Sequence, residues 1–328
     1  MQRRDFVKLV GGAAAAWPLA VRAQERASIP RVGVLWQRAS AEAEGEYFKA
    51  LMKGFSELDY IDGRNIKLEH RFAGAMPERL KSMAAELVSS NVDALVGVGD
   101  DAASSAKSAT STIPVVFTLV VDPVGSKLVE NLSQPGRNVT GLSSSSPQLF
   151  EKRLQTLKEI MPALAHVAVL VNANDQISRQ YIDATEAAAS SLGMTSQTFE
   201  WHTVNDLGPA FDAVKRAGMQ ALTSSPEGSA FAYGALIAQI SLVRGLPMIA
   251  WSKDALKHGA LMSYAADMEA ICEKSAAFVD KILKGAKPAE LPVEQPAKFE
   301  LHFNTRAAKA LNLTIPEALL KSASETGE

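Results

Sequence analysis

The chain has 328 residues, 47% hydrophobic and 21% charged, a globular composition long enough for two domains at roughly 100–200 residues each. With 34 Lys and Arg against 36 Asp and Glu the formal net charge is -2, so the overall electrostatics give nucleic acid no reason to bind. The single cysteine, Cys272, excludes an intrachain disulfide, and His70, His166, His202, His258 and His302 lack zinc-site spacing, so neither a metal nor a cofactor is expected.

Residues 1–23 read as an export address: Arg3-Arg4, an apolar run from Phe6 to Ala20, and a small-residue exit at Val21-Arg22-Ala23. So short an apolar stretch fits a signal peptide, cleaved after Ala23, better than a membrane span. The run Arg3-Arg4-Asp5-Phe6-Val7-Lys8 also resembles the twin-arginine export signal. No cysteine near the cut offers a lipid anchor, and no later segment is long and apolar enough to span. The mature protein is therefore expected to be soluble and periplasmic.

From Arg31 onward, short Val/Ile/Leu-rich runs alternate with alanine-rich helical stretches, the pattern of βαβ units in a parallel sheet. In chain order, strands are predicted at 32–36, 66–72, 94–98, 115–120 and 139–142, then at 167–171, 195–201, 220–223, 248–251 and 260–264. Helices are predicted between them at 44–58, 77–89, 102–110, 179–192, 207–217 and 231–244. A long helix at 268–283 precedes a connector marked by Pro288, Pro292 and Pro296, a last strand at 299–303 and a short helix at 305–311.

The two series match in order and in wording: RVGVLWQ is echoed by HVAVLVNAN, VDALVGVGD by MQALTSSPE, IPVVFTLVVD by LPMIAWSKD, and VTGLSSSS by ALMSYAAD. The expected fold is therefore α/β, with two doubly wound parallel-sheet lobes. Ligands of open parallel sheets sit beyond the carboxyl ends of the strands, so two such lobes face one another across a shared cleft.

Those strand exits, together with STIPVVF, DPVGSKLV, NVTGLS, GALMSYAAD and the long carboxyl-terminal run VDKILKGAKPAELPVEQPAKFELHFNTRAAKALNLTIP, resemble the substrate-binding proteins of one ABC importer family. The resemblance runs from about Pro30 to about Pro316. It implies a type I periplasmic-binding fold closing by a hinge, relatives that bind tryptophan and related aromatic amino acids, and a permease in the inner membrane as partner. On this basis one lobe comprises residues 30–142 plus 267–290 and the other 146–264 plus 296–328, with hinge crossings at 141–145, 264–267 and 291–295. A monomer that binds an amino-acid-like or aromatic solute, and is not an enzyme, is expected.

The candidate ligand-binding residues stand at strand exits. Trp36, Trp251 and Tyr264 would form an aromatic clamp if they converge, each being otherwise a core residue. Gln37 follows the first strand. Asp100 and Asp101 precede a helix, and Asp122 opens the DPVG turn; each fits a helix or turn cap as well as a contact to an amine. Ser143 and Ser144, with Ser145, lie on the first crossing, where hydroxyls can bond a solute or simply bend the chain. Asn172 and Asn174 follow the first strand of the second lobe, and either can grip a carboxylate or form an Asx turn. Glu227 occupies the equivalent place in SSPEG, and Asp267 either caps the helix that follows or bonds the ligand amine.

Rival readings remain. Gly97-Val98-Gly99-Asp100-Asp101-Ala102 matches the dinucleotide fingerprint, with Asp122 as the ribose acid of an NAD-dependent enzyme, although the glycines end the third strand rather than the first. No G-x-S-x-G elbow supports a hydrolase. A repressor on the same fold would carry a DNA-binding helix pair where the export signal stands. A ligand-sensing receptor for a membrane kinase uses the same architecture.

Overall fold

The computed structural model describes residues 29–74, 76–144, 148–174, 178–225, 232–296 and 298–327. The first sheet holds β1 (Arg31–Trp36), β2 (Lys67–Phe72), β3 (Ala94–Val98), β4 (Val115–Val120) and β5 (Val139–Ser143), in the order β2-β1-β3-β4-β5 and parallel throughout. Its inner strands are continuous apolar runs because helices cover both faces. On one face Leu80, Ala84 and Leu87 of the helix Pro77–Ser89 and Ala102, Ala103 and Ala106 of the helix Asp100–Ala109 meet Leu35, Leu95 and Phe117. On the other, Leu51 and Phe55 of the helix Glu46–Glu57 share a core with Val34, Val96 and Val116.

The second sheet holds β6 (His166–Asn172), β7 (Thr195–Trp201), β8 (Ala221–Ser224), β9 (Met248–Ala250), β10 (Met262–Ala266), β11 (Phe299–Asn304) and β12 (Glu325–Gly327), in the order β12-β11-β10-β9-β8-β6-β7. The helices Leu207–Arg216 and Gly234–Val243 cover one face through Phe211, Val214 and Ile237. The helix Gln148–Ile160, absent from the sequence-based prediction, covers the other with Leu154, Leu157 and Ile160 against Val167, Met262 and Phe303. This sheet departs from the expected all-parallel pattern: β11 runs antiparallel to β10, with Ala266 opposite Phe299 and Met262 opposite Phe303. The reason lies in the route of the chain. It leaves β10 at that strand's carboxyl end, visits the first sheet, and re-enters at the same edge, so the returning strand must point the other way.

Three segments run between the sheets. Ser144, just after β5, donates its N–H to the Val120 carbonyl at 2.7 Å. After β10, the helix Met268–Leu283 crosses back and packs on the first-sheet core through Ile271, Ala276, Val279 and Ile282. It meets the helix Glu46–Glu57 at Gly54, where a Cβ would stand 2.2 Å from the Glu273 carbonyl oxygen. The third segment lies beside β5: the Ser143 N–H donates to the Glu294 carbonyl at 2.9 Å and the Thr140 hydroxyl to the Leu291 carbonyl at 2.7 Å. Among the described residues no helix is long and apolar enough to cross a membrane.

Candidate functional site

The carboxyl ends of the two sheets confront one another. Between them lies a cavity of about 40 Å³ walled by Gln37, Asp100 and Leu119 of the first sheet, Ser144 of the first crossing, and Trp251 and Ser252 just after β9. A wider groove of about 520 Å³, bordered by Arg38 from one side and Tyr233 and His258 from the other, shares Trp251 and Ser252 with it. Tyr47 and Ser252 join the walls by a hydroxyl–hydroxyl hydrogen bond of 2.8 Å, and Lys253 pairs with Glu269 at 2.8 Å.

The first wall is acidic and dry. Asp100 is 7% exposed, and its carboxylate accepts the Val121 N–H at 3.2 and 3.3 Å. Burial pushes this carboxyl up to about 8, and the charges of Asp101 and Asp122 push in the same direction against the Val121 hydrogen bond. Burial also raises Asp101. Glu44, which the sequence did not single out, is 1% exposed, lines the same cavity and accepts the Arg38 N–H at 2.7 Å; burial raises it despite the Arg38 charge. Carboxyls held toward the protonated form can donate a hydrogen bond, and once ionised they can receive an ammonium. Beside them β4 slips register between Phe117 and Val120, and Leu119 takes a left-handed φ of 59° at the cavity wall, a bulge that ends pairing and turns the strand's last residues to the cleft.

The predicted aromatic clamp does not form. Trp36 is fully buried in the first core, stacked 6.2 Å from Phe72, with its indole N–H donated to His70 Nδ1 at 3.1 Å. A strand covered on both faces buries its terminal aromatic as readily as its other residues, so position at an exit did not turn it to the cleft. Tyr264 stacks on Phe299 at 6.2 Å across the antiparallel pair, an arrangement the β11 reversal creates. Trp251 alone of the three lines the cleft.

Several acceptors at strand ends are occupied by backbone. Asp122 Oδ1 accepts the N–H groups of Val124 at 3.2 Å and Gly125 at 2.8 Å, and Asp267 Oδ1 accepts that of Ala270 at 2.9 Å, capping a turn and a helix respectively. Asn172 Oδ1 accepts the Asn174 N–H at 2.9 Å, and both side-chain amides donate to the His202 carbonyl, at 3.5 and 3.1 Å. Ser144 lines the cavity, whereas Ser143 is buried with its hydroxyl unpartnered among the described residues. Glu227 and Ser145 lie outside the described residues, as does the export address.

The fingerprint glycines serve packing. A Cβ on Gly97 would stand 2.6 Å from Ala103 Cα, so this glycine lets the helix Asp100–Ala109 lie close on β3. The helix N-terminus, where a pyrophosphate would sit, carries the carboxyls of Asp100 and Asp101. Among the described residues no group of His, Cys, Asp and Glu could hold a metal ion.

One residue missed in the sequence is Arg153. It projects from the helix Gln148–Ile160 and is 3% exposed. Its Nε donates to the Tyr264 carbonyl at 2.7 Å, and its guanidinium carbon lies 3.7 Å from the centroid of the Trp251 ring. Burial lowers its pKa to about 10, so it remains a cation at neutral pH. Among the described residues its Nη1 and Nη2 have no hydrogen-bond partner, and neither do the buried hydroxyls of Ser225 and Ser263. The other edge of Trp251 is fixed by donation of its indole N–H to the Ser224 carbonyl and by Tyr181 at 5.5 Å.

A family model described as ABC transporter substrate binding protein matches residues 32–327. A tyrosine-binding protein of Clostridioides difficile is 24% identical over 272 residues, which make up 81% of this chain and 76% of that protein. A Streptococcus pneumonia domain solved in complex with L-Trp aligns with a TM-score of 0.85 at 25% identity, over 92% of this chain and 100% of that one. A conserved domain protein of Vibrio cholerae aligns with a TM-score of 0.86 at 29% identity, again over 92% and 100% of the two chains.

Proposed function

The chain belongs to the ABC transporter substrate binding protein family, and from that premise we propose that it takes a small amino-acid-like or aromatic solute into the cleft between its sheets and delivers it to the permease of an importer. The two α/β lobes have the type I periplasmic-binding fold. Membership implies a small-molecule ligand, a transporter and a place outside the cytoplasm. The proposal adds export by the leader at residues 1–23, cleavage after Ala23, and action as a monomer.

The observation that carries this reading is a cavity whose walls come from both lobes, Gln37 and Asp100 on one side and Trp251 and Ser252 on the other. A space of about 40 Å³ holds no more than a few waters, so the lobes part to admit a solute. One lobe binds first, contacts from the other complete the site, and the difference in affinity between open and closed forms shifts the population toward closure. The permease then reads the closed shape and releases the solute by separating the lobes. Aromatic amino acids are the first solutes to test, because the tyrosine-binding relative and the L-Trp complex share this architecture.

A thermal-shift screen of amino acids and aromatic metabolites, followed by small-angle scattering, tests the proposal. A true solute at 100 times its Kd is expected to stabilise the protein by about 2.7 kcal/mol and to reduce its radius of gyration. Saturable binding with no compaction would remove the closure mechanism.

A further inference from the structure

We propose that Arg153 is the anion anchor of the cleft, so that the solute is one carrying a carboxylate, gripped by the two outer nitrogens of the guanidinium. The inference rests on the binding-protein reading above and narrows it to a ligand class.

The argument begins with cost. An arginine is almost never fully buried without a partner, because desolvating a cation is repaid only by an opposite charge or a full set of acceptors. Arg153 is 3% exposed, receives only partial compensation from the Tyr264 carbonyl through Nε, and leaves Nη1 and Nη2 unpaired among the described residues. Holding one carbonyl requires one donor and no charge; a neutral side chain would do it more cheaply. The remaining face of the group is the planar pair of N–H donors that matches a carboxylate in bidentate geometry.

Its position supports the same assignment. Tyr264 belongs to β10 and Trp251 follows β9, and these are neighbouring strands, with Ser263 opposite Ala250. The guanidinium is therefore pinned over the strand carboxyl ends, where open α/β sheets take their ligands. Trp251, against which it stacks at 3.7 Å, is itself a wall of the cavity and of the groove. Nε bonding and ring stacking together fix the plane of the fork before any ligand arrives, which limits the entropy lost on binding. Buried unpartnered hydroxyls lie nearby in the chain: Ser263 adjoins Tyr264, and Ser143 adjoins the cavity residue Ser144. Across the cleft, Asp100 and Glu44 suit the amine of a zwitterion.

The test is isothermal calorimetry on the full mature chain with L-tryptophan, L-tyrosine, phenylpropionate and benzoate, set against the acid-free tryptamine and tyramine. Acids are expected to bind and the matched amines to fail, and Arg153→Gln and Arg153→Met are expected to weaken acid binding by about 100-fold. The empty variants are expected to melt at or above the wild-type temperature, because an unpaired buried charge has been removed. Full-strength binding of tyramine or tryptamine, or acid binding by Arg153→Gln within about threefold of wild type, would overturn the anchor while leaving the binding protein intact. Empty variants that melt far below wild type would reassign Arg153 to structure and overturn it likewise. Failure of every compound to bind would remove the anchor and the proposed amino-acid-like solute together.

Discussion

Asp100 does not serve as the cap that the sequence offered for it: the helix N-cap is Gly99, with no side-chain cap hydrogen bond. Asp100 is the first residue of that helix, and it keeps its carboxyl in a dry wall where burial pushes it up to about 8. Below about 3.9, the ordinary aspartate value, folded and unfolded chains both hold this proton. As pH rises from there to about 8 the unfolded chain has released it and the folded one retains it, so stability falls across that window, and the penalty is complete above it. Asp100→Asn is therefore expected to stabilise the empty protein by on the order of 1–3 kcal/mol at pH 9 and by less at pH 5, measured by urea unfolding at both. An equal difference at the two pH values would show that the carboxyl ionises freely. Asp122, Asp267 and Asn172 were equally legible as strand-end residues, and the structure gives them to turns and caps. Capping and ligand binding use the same acceptor atoms at the same places, so residue type alone does not separate them. Arg153 did leave a signal: it stands four residues after Leu149 and four before Leu157, a charge set into a helix's apolar stripe.

Elements were easier to read than residues. The inner strands of both sheets, such as β3, β4 and β6, appeared as apolar runs because strands covered on two faces have nowhere polar to point, and the helices Pro77–Ser89 and Met268–Leu283 begin and end where the pattern placed them. The helix Gln148–Ile160 escaped because its Gln, Glu, Lys and Arg residues and the serines before it read as a linker, while its stripe is narrow. Strand direction escaped as well, since apolar periodicity is the same forwards and backwards; only the return path from the first lobe sets β11 antiparallel. Close helix packing is a further feature of this scale. Gly54→Ala would normally favour a helix by about 1 kcal/mol, yet its methyl would meet the Glu273 carbonyl oxygen at 2.2 Å. A net destabilisation of about 1–3 kcal/mol is expected in urea unfolding, from overpacking. An unchanged midpoint would mean that the two helices stand further apart.

At the scale of the whole molecule, the duplicated wording of the two halves was enough to anticipate two confronted sheets, but not how they touch. The Tyr47–Ser252 hydrogen bond joins residues from opposite lobes, and no sequence pattern links an internal helix position to a strand exit so far along the chain. Under the proposed closure, it is expected to latch the closed form. Tyr47→Phe keeps the ring in its buried place and removes the bond, worth about 1 kcal/mol, so the ratio of open to closed molecules is expected to rise about fivefold. Fluorescence energy transfer between dyes on the two lobes would report the shift, and an identical distance distribution for Tyr47→Phe would show that the bond carries no weight in closure.

The helix Met268–Leu283 completes a core that Leu51, Phe55 and Val116 begin near the other end of the chain. A ribosome making this protein therefore produces the whole series from β6 to β10 before the cover of the first sheet's second face, begun by the helix Glu46–Glu57, can be completed. Until then the part of that face that Ile271, Ala276, Val279 and Ile282 will cover presents aliphatic surface, and a fragment ending at β10 would hold no finished half. The earliest-made sheet is thus among the last to be sealed, and a chaperone that shields nascent chains has most to protect at the amino-terminal side.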